Sequence, residues 1–189
     1  KLRPELRIYL IERNTRHARG LAYGACAGYH LLNVPIPRME VGLTPGFADW
    51  LEKRPQELAD AMAESGGDVS ATYISRELFG QYLEERLKES LSQDRDSGIV
   101  QMRGEAVRVL STPRRILLAD GRELAADQIV LATGNLPPRA PRLPDEWVYD
   151  SAHFVSDPWT HDALDHIDPK APIMLLGTGL TMVDVALKL

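Results

Sequence analysis

Glu12 closes the apolar run Arg7-Ile8-Tyr9-Leu10-Ile11, and Gly177-Thr178-Gly179-Leu180-Thr181-Met182 follows a second one, Ile173-Met174-Leu175-Leu176. Between them, Asp127-Gln128-Ile129-Val130-Leu131 runs into Ala132-Thr133-Gly134. A carboxylate at the C-terminal end of a strand can accept hydrogen bonds from both hydroxyls of a ribose, about 20 residues after a Gly-rich loop. A glycine turn that opens a helix offers backbone N–H groups and the positive end of a dipole to a pyrophosphate. Small residues at a strand end let a ligand approach the backbone. The three segments therefore read as parts of two sites for dinucleotides. Only eleven residues precede Glu12, so the loop that belongs with it is missing. The chain is expected to be a slice of a larger protein, truncated at both ends.

Each segment also has a plainer reading. Glu12 would serve as a solvated acid at a strand terminus. Ala132-Thr133-Gly134 would be a simple turn, and residues 173–187 an ordinary strand–turn–helix. Met182 stands where a third glycine or alanine brings the helix close to the strand, which affects helix approach more than phosphate binding. Asn33, in Leu31-Leu32-Asn33-Val34-Pro35, can supply polar atoms to the edge of a flavin-like ring or cap its own turn.

Particular elements must position these residues. Residues 7–12 read as a buried parallel strand. Residues 13–46, punctuated by Gly20, Gly24, Gly28, Pro35, Pro37, Gly42, Pro45 and Gly46, read as a long functional loop. Phe47 to about Arg54 forms a short helix, and Gln56 to Glu64 continues it. Ser75–Ser92 is the clearest helix, with Leu78, Phe79, Tyr82, Leu83, Leu87 and Leu91 at helical spacing. Gly80 inside it points to close packing against another element. Asp94–Gly98 reads as a turn. The runs Ala106–Leu110 and Arg115–Leu118 are strand-like, and Asp120-Gly121 marks a tight β connection. Residues 127–134 read as a buried strand, Asn135–Pro144 as a Pro-rich connector, and 145–170 as irregular.

Bulk properties bound the function. The 189 residues, 44% of them hydrophobic, can bury a sizeable core. The net charge of −5, with no long Lys/Arg run, gives no support to a nucleic-acid surface. Cys26 is alone, so no internal disulfide forms, which suits a reducing compartment; a cytoplasmic setting is expected. Cys26 reads as a packed residue rather than a nucleophile. No apolar stretch approaches the roughly 20 residues of a membrane-spanning helix, and no membrane partner is expected. His17, His30, His153, His161 and His166 have no metal-ligand spacing, so no metal site is expected.

Taken together, the residues resemble the bacterial FAD–NAD(P)-binding proteins, relatives of the flavin-containing monooxygenases and the amine N-hydroxylases. The resemblance rests on Ile11-Glu12-Arg13, Arg19-Gly20-Leu21-Ala22-Tyr23-Gly24 and Leu31-Leu32-Asn33-Val34-Pro35. It extends through Arg76, Gly80 and Tyr82, Ala132-Thr133-Gly134-Asn135, Asp157-Pro158-Trp159 and Gly177–Asp184. It implies an α/β, Rossmann-like flavoprotein with two dinucleotide-binding domains and a small β-meander, incomplete at both ends. Residues 1–144 would be a partial FAD domain with the meander at about 100–126. Residues 145–171 would be a connector, and 172–189 the start of an NAD(P) domain. The cofactors implied are FAD and NAD(P)H. Glu12 and its neighbour Arg13 would lie at the FAD ribose, Asn33 and Val34 near the isoalloxazine, the backbone at about Val107 near adenine, and Thr133-Gly134 near the diphosphate. Gly177, Thr178, Gly179, Leu180 and Thr181 would take the NAD(P)H pyrophosphate.

The leading functional reading is part of an FAD-dependent oxidoreductase that takes hydride from NAD(P)H, with monooxygenase-like chemistry as its finer form. The alternatives are a non-catalytic dinucleotide-binding or interaction module that keeps the fold, and a protein that binds only a nicotinamide nucleotide. No catalytic residue is assigned, and the small-molecule substrate is left open. A glycine fingerprint after a strand is expected immediately upstream of Lys1 in the parent protein. The upstream coding sequence checks this, and finding no such fingerprint would remove the two-site reading.

Overall fold

Ser75 starts the longest helix by accepting a hydrogen bond on Oγ from the Leu78 N–H at 3.2 Å, which satisfies one donor that the helix itself leaves unpaired. The computed structural model describes residues 6–93, 98–142, 144–160 and 162–189. Residues 1–5, the 94–97 part of the expected turn, Leu143 of the connector and His161 lie outside the described residues.

In chain order the elements are β1 (Ile8–Glu12), α1 (Gly20–Gly24), a 3₁₀ turn at Ile36–Arg38, α2 (Phe47–Glu52), α3 (Pro55–Glu64) and a 3₁₀ turn at Val69–Ala71. There follow α4 (Arg76–Gln93), β2 (Ile99–Arg103), β3 (Ala106–Ser111), β4 (Arg114–Leu118), β5 (Glu123–Ala125), a 3₁₀ turn at Trp147–Asp150 and α5 (Leu180–Lys188). The apolar stripe of α4 meets α2 and the preceding loop. Phe47, Trp50, Leu51, Phe79 and Tyr82 are buried together with Leu32, Ile36 and Ile74. Phe47 stands edge-on to Phe79 at 4.9 Å between ring centres, and Trp50 edge-on to Tyr82 at 5.7 Å. Each such ring contributes about 1.5–3 kcal/mol by burial, and the edge contacts add about 0.5–1.5 kcal/mol. The polar ends of the cluster are satisfied. Tyr82 donates to the Pro45 carbonyl at 3.0 Å, and Trp50 Nε1 donates to Glu85 at 2.7 Å.

β1 and β2 form a parallel pair with Ile8 opposite Ile99 and Glu12 opposite Arg103. β3, β4 and β5 form an antiparallel meander. The expected meander, from about residue 100, therefore starts too early: Ile99–Arg103 belongs to the parallel pair. Its Ile99-Val100 start, with β-branched residues behind Gly98, is the signal that was passed over. Asp120-Gly121 makes the expected tight link between β4 and β5, with Gly121 at φ +86°.

Two expected strands do not form. Residues 127–134 and 173–176 carry no ladder, and Val130 and Met174 are 87% and 83% exposed. An apolar run becomes a strand only when a neighbouring strand takes its N–H and C=O groups. Among the described residues no strand lies beside either segment. Among the described residues no helix is long and apolar enough to cross a membrane.

Gly80 has the close neighbour its position implied. A Cβ there would lie 3.1 Å from the Tyr23 carbonyl oxygen, from Tyr23 Cβ and from an Arg19 nitrogen, so α1 packs directly on α4. Arg19 cannot easily retreat, because it is buried and paired with Glu84 at 2.9 Å. Gly80→Ala is therefore expected to lose about 1–3 kcal/mol through overpacking, which outweighs the gain in helix propensity of about 1 kcal/mol. Urea unfolding measures this, and a higher midpoint in the variant would refute it.

Candidate functional site

β1 delivers Glu12 to the C-terminal end of the parallel pair, the side of an α/β sheet where dinucleotides bind. Its carboxylate is half-buried. Oε1 accepts a hydrogen bond from the Asn14 N–H at 2.9 Å, and Oε2 meets no donor among the described residues. The plainer role, holding the local turn, thus uses one oxygen and leaves the other available. Arg13 is exposed beside it.

The loop carrying Asn33 is fixed by backbone hydrogen bonds to the chain entering α4. The N–H groups of Leu32, Ile36 and Arg76 donate to the carbonyls of Ile74 at 2.9 Å, Thr72 at 3.0 Å and His30 at 2.7 Å. Leu32 and Ile36 point into the core, leaving Leu31 and Asn33 facing outward, with Val34 half-buried. Arg76 then gathers the loop. Its Nε donates to the Leu31 carbonyl at 2.9 Å, and one terminal nitrogen donates to Asn33 Oδ1 at 3.1 Å. With Oδ1 accepting from Arg76, the NH₂ of the exposed Asn33 keeps its donors without a hydrogen-bond partner among the described residues. An apolar wall with outward donors suits the acceptor edge of a planar heterocycle.

Arg76 also reaches α5, where its guanidinium lies 2.9 Å from Asp184 Oδ2. The contact is ionic rather than a directed hydrogen bond. Trp159 lies 6.0 Å from the guanidinium and stands edge-on to His30 at 5.4 Å. His30 is 3% exposed, and its Nδ1 accepts from the Ala27 N–H at 3.0 Å, which assigns the proton of the neutral ring to Nε2. Nε2 is buried with no hydrogen-bond partner among the described residues. Burial pushes the Cys26 thiol up, and the smaller opposing pulls of a backbone hydrogen bond, Arg19 and Arg76 do not reverse it. Its Sγ donates to the Tyr23 carbonyl, as a packed residue would.

The glycine turn before α5 is open. Gly177 has φ +113°, Gly179 is extended and begins α5, and a Cβ at either would touch nothing within 4 Å. Met182 and Val183 donate back to the Gly179 carbonyl, so Leu180 and Thr181 hold the outward-facing N–H groups of the first turn. Thr178, Leu180 and Thr181 are exposed. Thr133 is exposed too, and Gly134, at φ +69°, is equally uncrowded. Val107 falls at a register shift in β3, between Ala106 opposite Leu118 and Arg108 opposite Leu117, and so has no residue facing it. A residue held out of the ladder in this way suits recognition through the backbone. No hydrogen bond or ion pair joins Glu12, Val107 or Thr133 to the Arg76 cluster among the described residues.

Sequence reasoning passed over the joining roles of Arg76, Asp184, His30 and Trp159. Two signals were present. A cation in the first turn of a helix opposes the dipole, and an acid between Val183 and Val185 on an amphipathic helix needs a partner. No group of three or more metal-ligating side chains converges among the described residues.

No curated protein matches the chain. The family model for FAD–NAD(P)-binding proteins matches residues 1–136, the span from Glu12 through Asn33 and the meander to Gly134. The glycine turn at 177–179 and α5 lie beyond the matched span. The Glu12 oxygen without a donor, the exposed Asn33 amide, the bulge at Val107 and the uncrowded glycines offer polar and open backbone positions of the kind such cofactors need. With that match over well more than half of its length, the chain belongs to the FAD–NAD(P)-binding family, and its cofactors are FAD and NAD(P)H.

Proposed function

We propose that the chain forms the flavin-holding part and the start of the nicotinamide-holding part of an oxidoreductase that takes hydride from NAD(P)H, with monooxygenase-like use of the reduced flavin. Residues 1–144 serve FAD, 145–171 connect, and 172–189 begin the second dinucleotide domain. The observation that carries this reading is the Arg76 cluster, where the Asn33 loop and the helix after the second glycine turn meet on one guanidinium.

When bound, the flavin supplies a two-electron carrier between nicotinamide and a further acceptor. The chain's own groups bind and orient. Glu12 takes the ribose hydroxyls through its free oxygen, with Arg13 beside it. The backbone at Val107 meets the adenine, and Thr133-Gly134 lets the diphosphate approach. Asn33 donates to the ring edge, with Val34 and Leu31 forming the apolar side. Gly177, Thr178 and Gly179 shape a turn whose Leu180 and Thr181 N–H groups face the second pyrophosphate. Fixing the two nucleotides in one frame removes most of the entropic cost of bringing their rings together.

Glu12→Ala removes charge-assisted hydrogen bonds worth about 1.5–3 kcal/mol, so FAD should dissociate about 10–100-fold more readily. Flavin occupancy after dialysis of the full-length protein reads this out. Unchanged occupancy would return Glu12 to its role of holding Asn14.

Gly179→Val tests the second turn. The backbone at Gly179 is extended and uncrowded, so the fold accepts valine. The side chain would instead stand where the pyrophosphate approaches. Anaerobic stopped-flow should show much slower flavin reduction by NAD(P)H with FAD content near that of the wild type. Loss of FAD with normal reduction after reconstitution would reassign the turn to the flavin domain.

A further inference from the structure

Arg76 and Asp184 account for each other's placement. Their side chains are 15% and 9% exposed. A guanidinium at the start of α4 opposes the helix dipole, and a carboxylate at Asp184 loses most of its hydration. Each is tolerated there because the other is 2.9 Å away. The same guanidinium holds Leu31 and Asn33, so the loop and the helix share one rigid, planar group. A lysine could not serve three partners in fixed directions. Val185, next to Asp184, is buried, and the C-terminal end of α5 has its own anchor in the Lys188–Asp165 pair at 2.9 Å. Asp184, at the middle of α5, is therefore the polar tie between this helix and the Asn33 loop.

We propose that Asp184 is a positioning residue: through Arg76 it keeps the first turn of α5 in register with the Asn33 loop, so the flavin loop sets where the nicotinamide nucleotide lies. The inference rests on the assignment of the two dinucleotides proposed above. Asp184 touches neither ring in this scheme and acts only through Arg76.

The test compares FAD-loaded full-length wild type, Asp184→Asn and Asp184→Glu. Asparagine keeps the shape and removes the charge; glutamate keeps the charge. Hydrogen exchange of the amides at 180–184, measured without NAD(P)H, should be faster in Asp184→Asn and return toward wild type in Asp184→Glu. Flavin reduction at saturating NAD(P)H should slow about 10–100-fold in Asp184→Asn, the size expected for a misplaced reactant. The NAD(P)H concentration for half-maximal rate should change little. Exchange at 180–184 identical in wild type and Asp184→Asn would overturn the proposal, whatever happens to FAD content. A wild type whose flavin NAD(P)H does not reduce would defeat the functional reading instead, and the exchange comparison still decides whether Asp184 ties the helix to the loop.

Discussion

Three backbone hydrogen bonds, linking residues 30–36 to residues 72–76, are the constraint on which the rest of the structure depends. They run between antiparallel segments, with a bridge between Leu31 and Ser75. They fix an otherwise irregular loop to the entrance of α4. Once Leu32 and Ile36 are drawn into the core, alternation sends Leu31 and Asn33 outward. The same bonds set the start of α4, and with it the position from which Arg76 reaches both the loop and α5. The aromatic cluster of Phe47, Trp50, Phe79 and Tyr82 supplies the burial that keeps α4 in place.

The sequence was most legible where a local rule and the tertiary structure agree. α4 follows from its apolar stripe, β1 from its short apolar run, and the β4–β5 link from Asp120-Gly121. Gly80 announced a close neighbour, and α1 is that neighbour. Glu12 stands at the strand end as expected because strand polarity alone fixes it.

The rest was hidden because it depends on partners distant in sequence. β2 was missed because five residues with mixed burial leave little periodicity to read. Residues 127–134 and 173–176 were read as strands from their apolar content, yet a strand is a property of a pair. The joining of Asn33, Arg76 and Asp184 spans α4, a loop and a distant helix, and no spacing rule connects them. What sequence does carry is a cost without an explanation, in the form of a cation at a helix start and an acid among valines. Such residues deserve to be treated as halves of a contact.

Burial also divides the ion pairs into two kinds. Arg115–Glu123 and Arg122–Asp120 in the meander are more open to solvent, where dissolved ions screen charges over about 8 Å at physiological salt. Arg76–Asp184 is enclosed and largely shielded from that atmosphere. Rising ionic strength therefore loosens the meander's charge contacts first and leaves the loop–helix junction intact, so the two parts of one small chain respond differently to the same solvent.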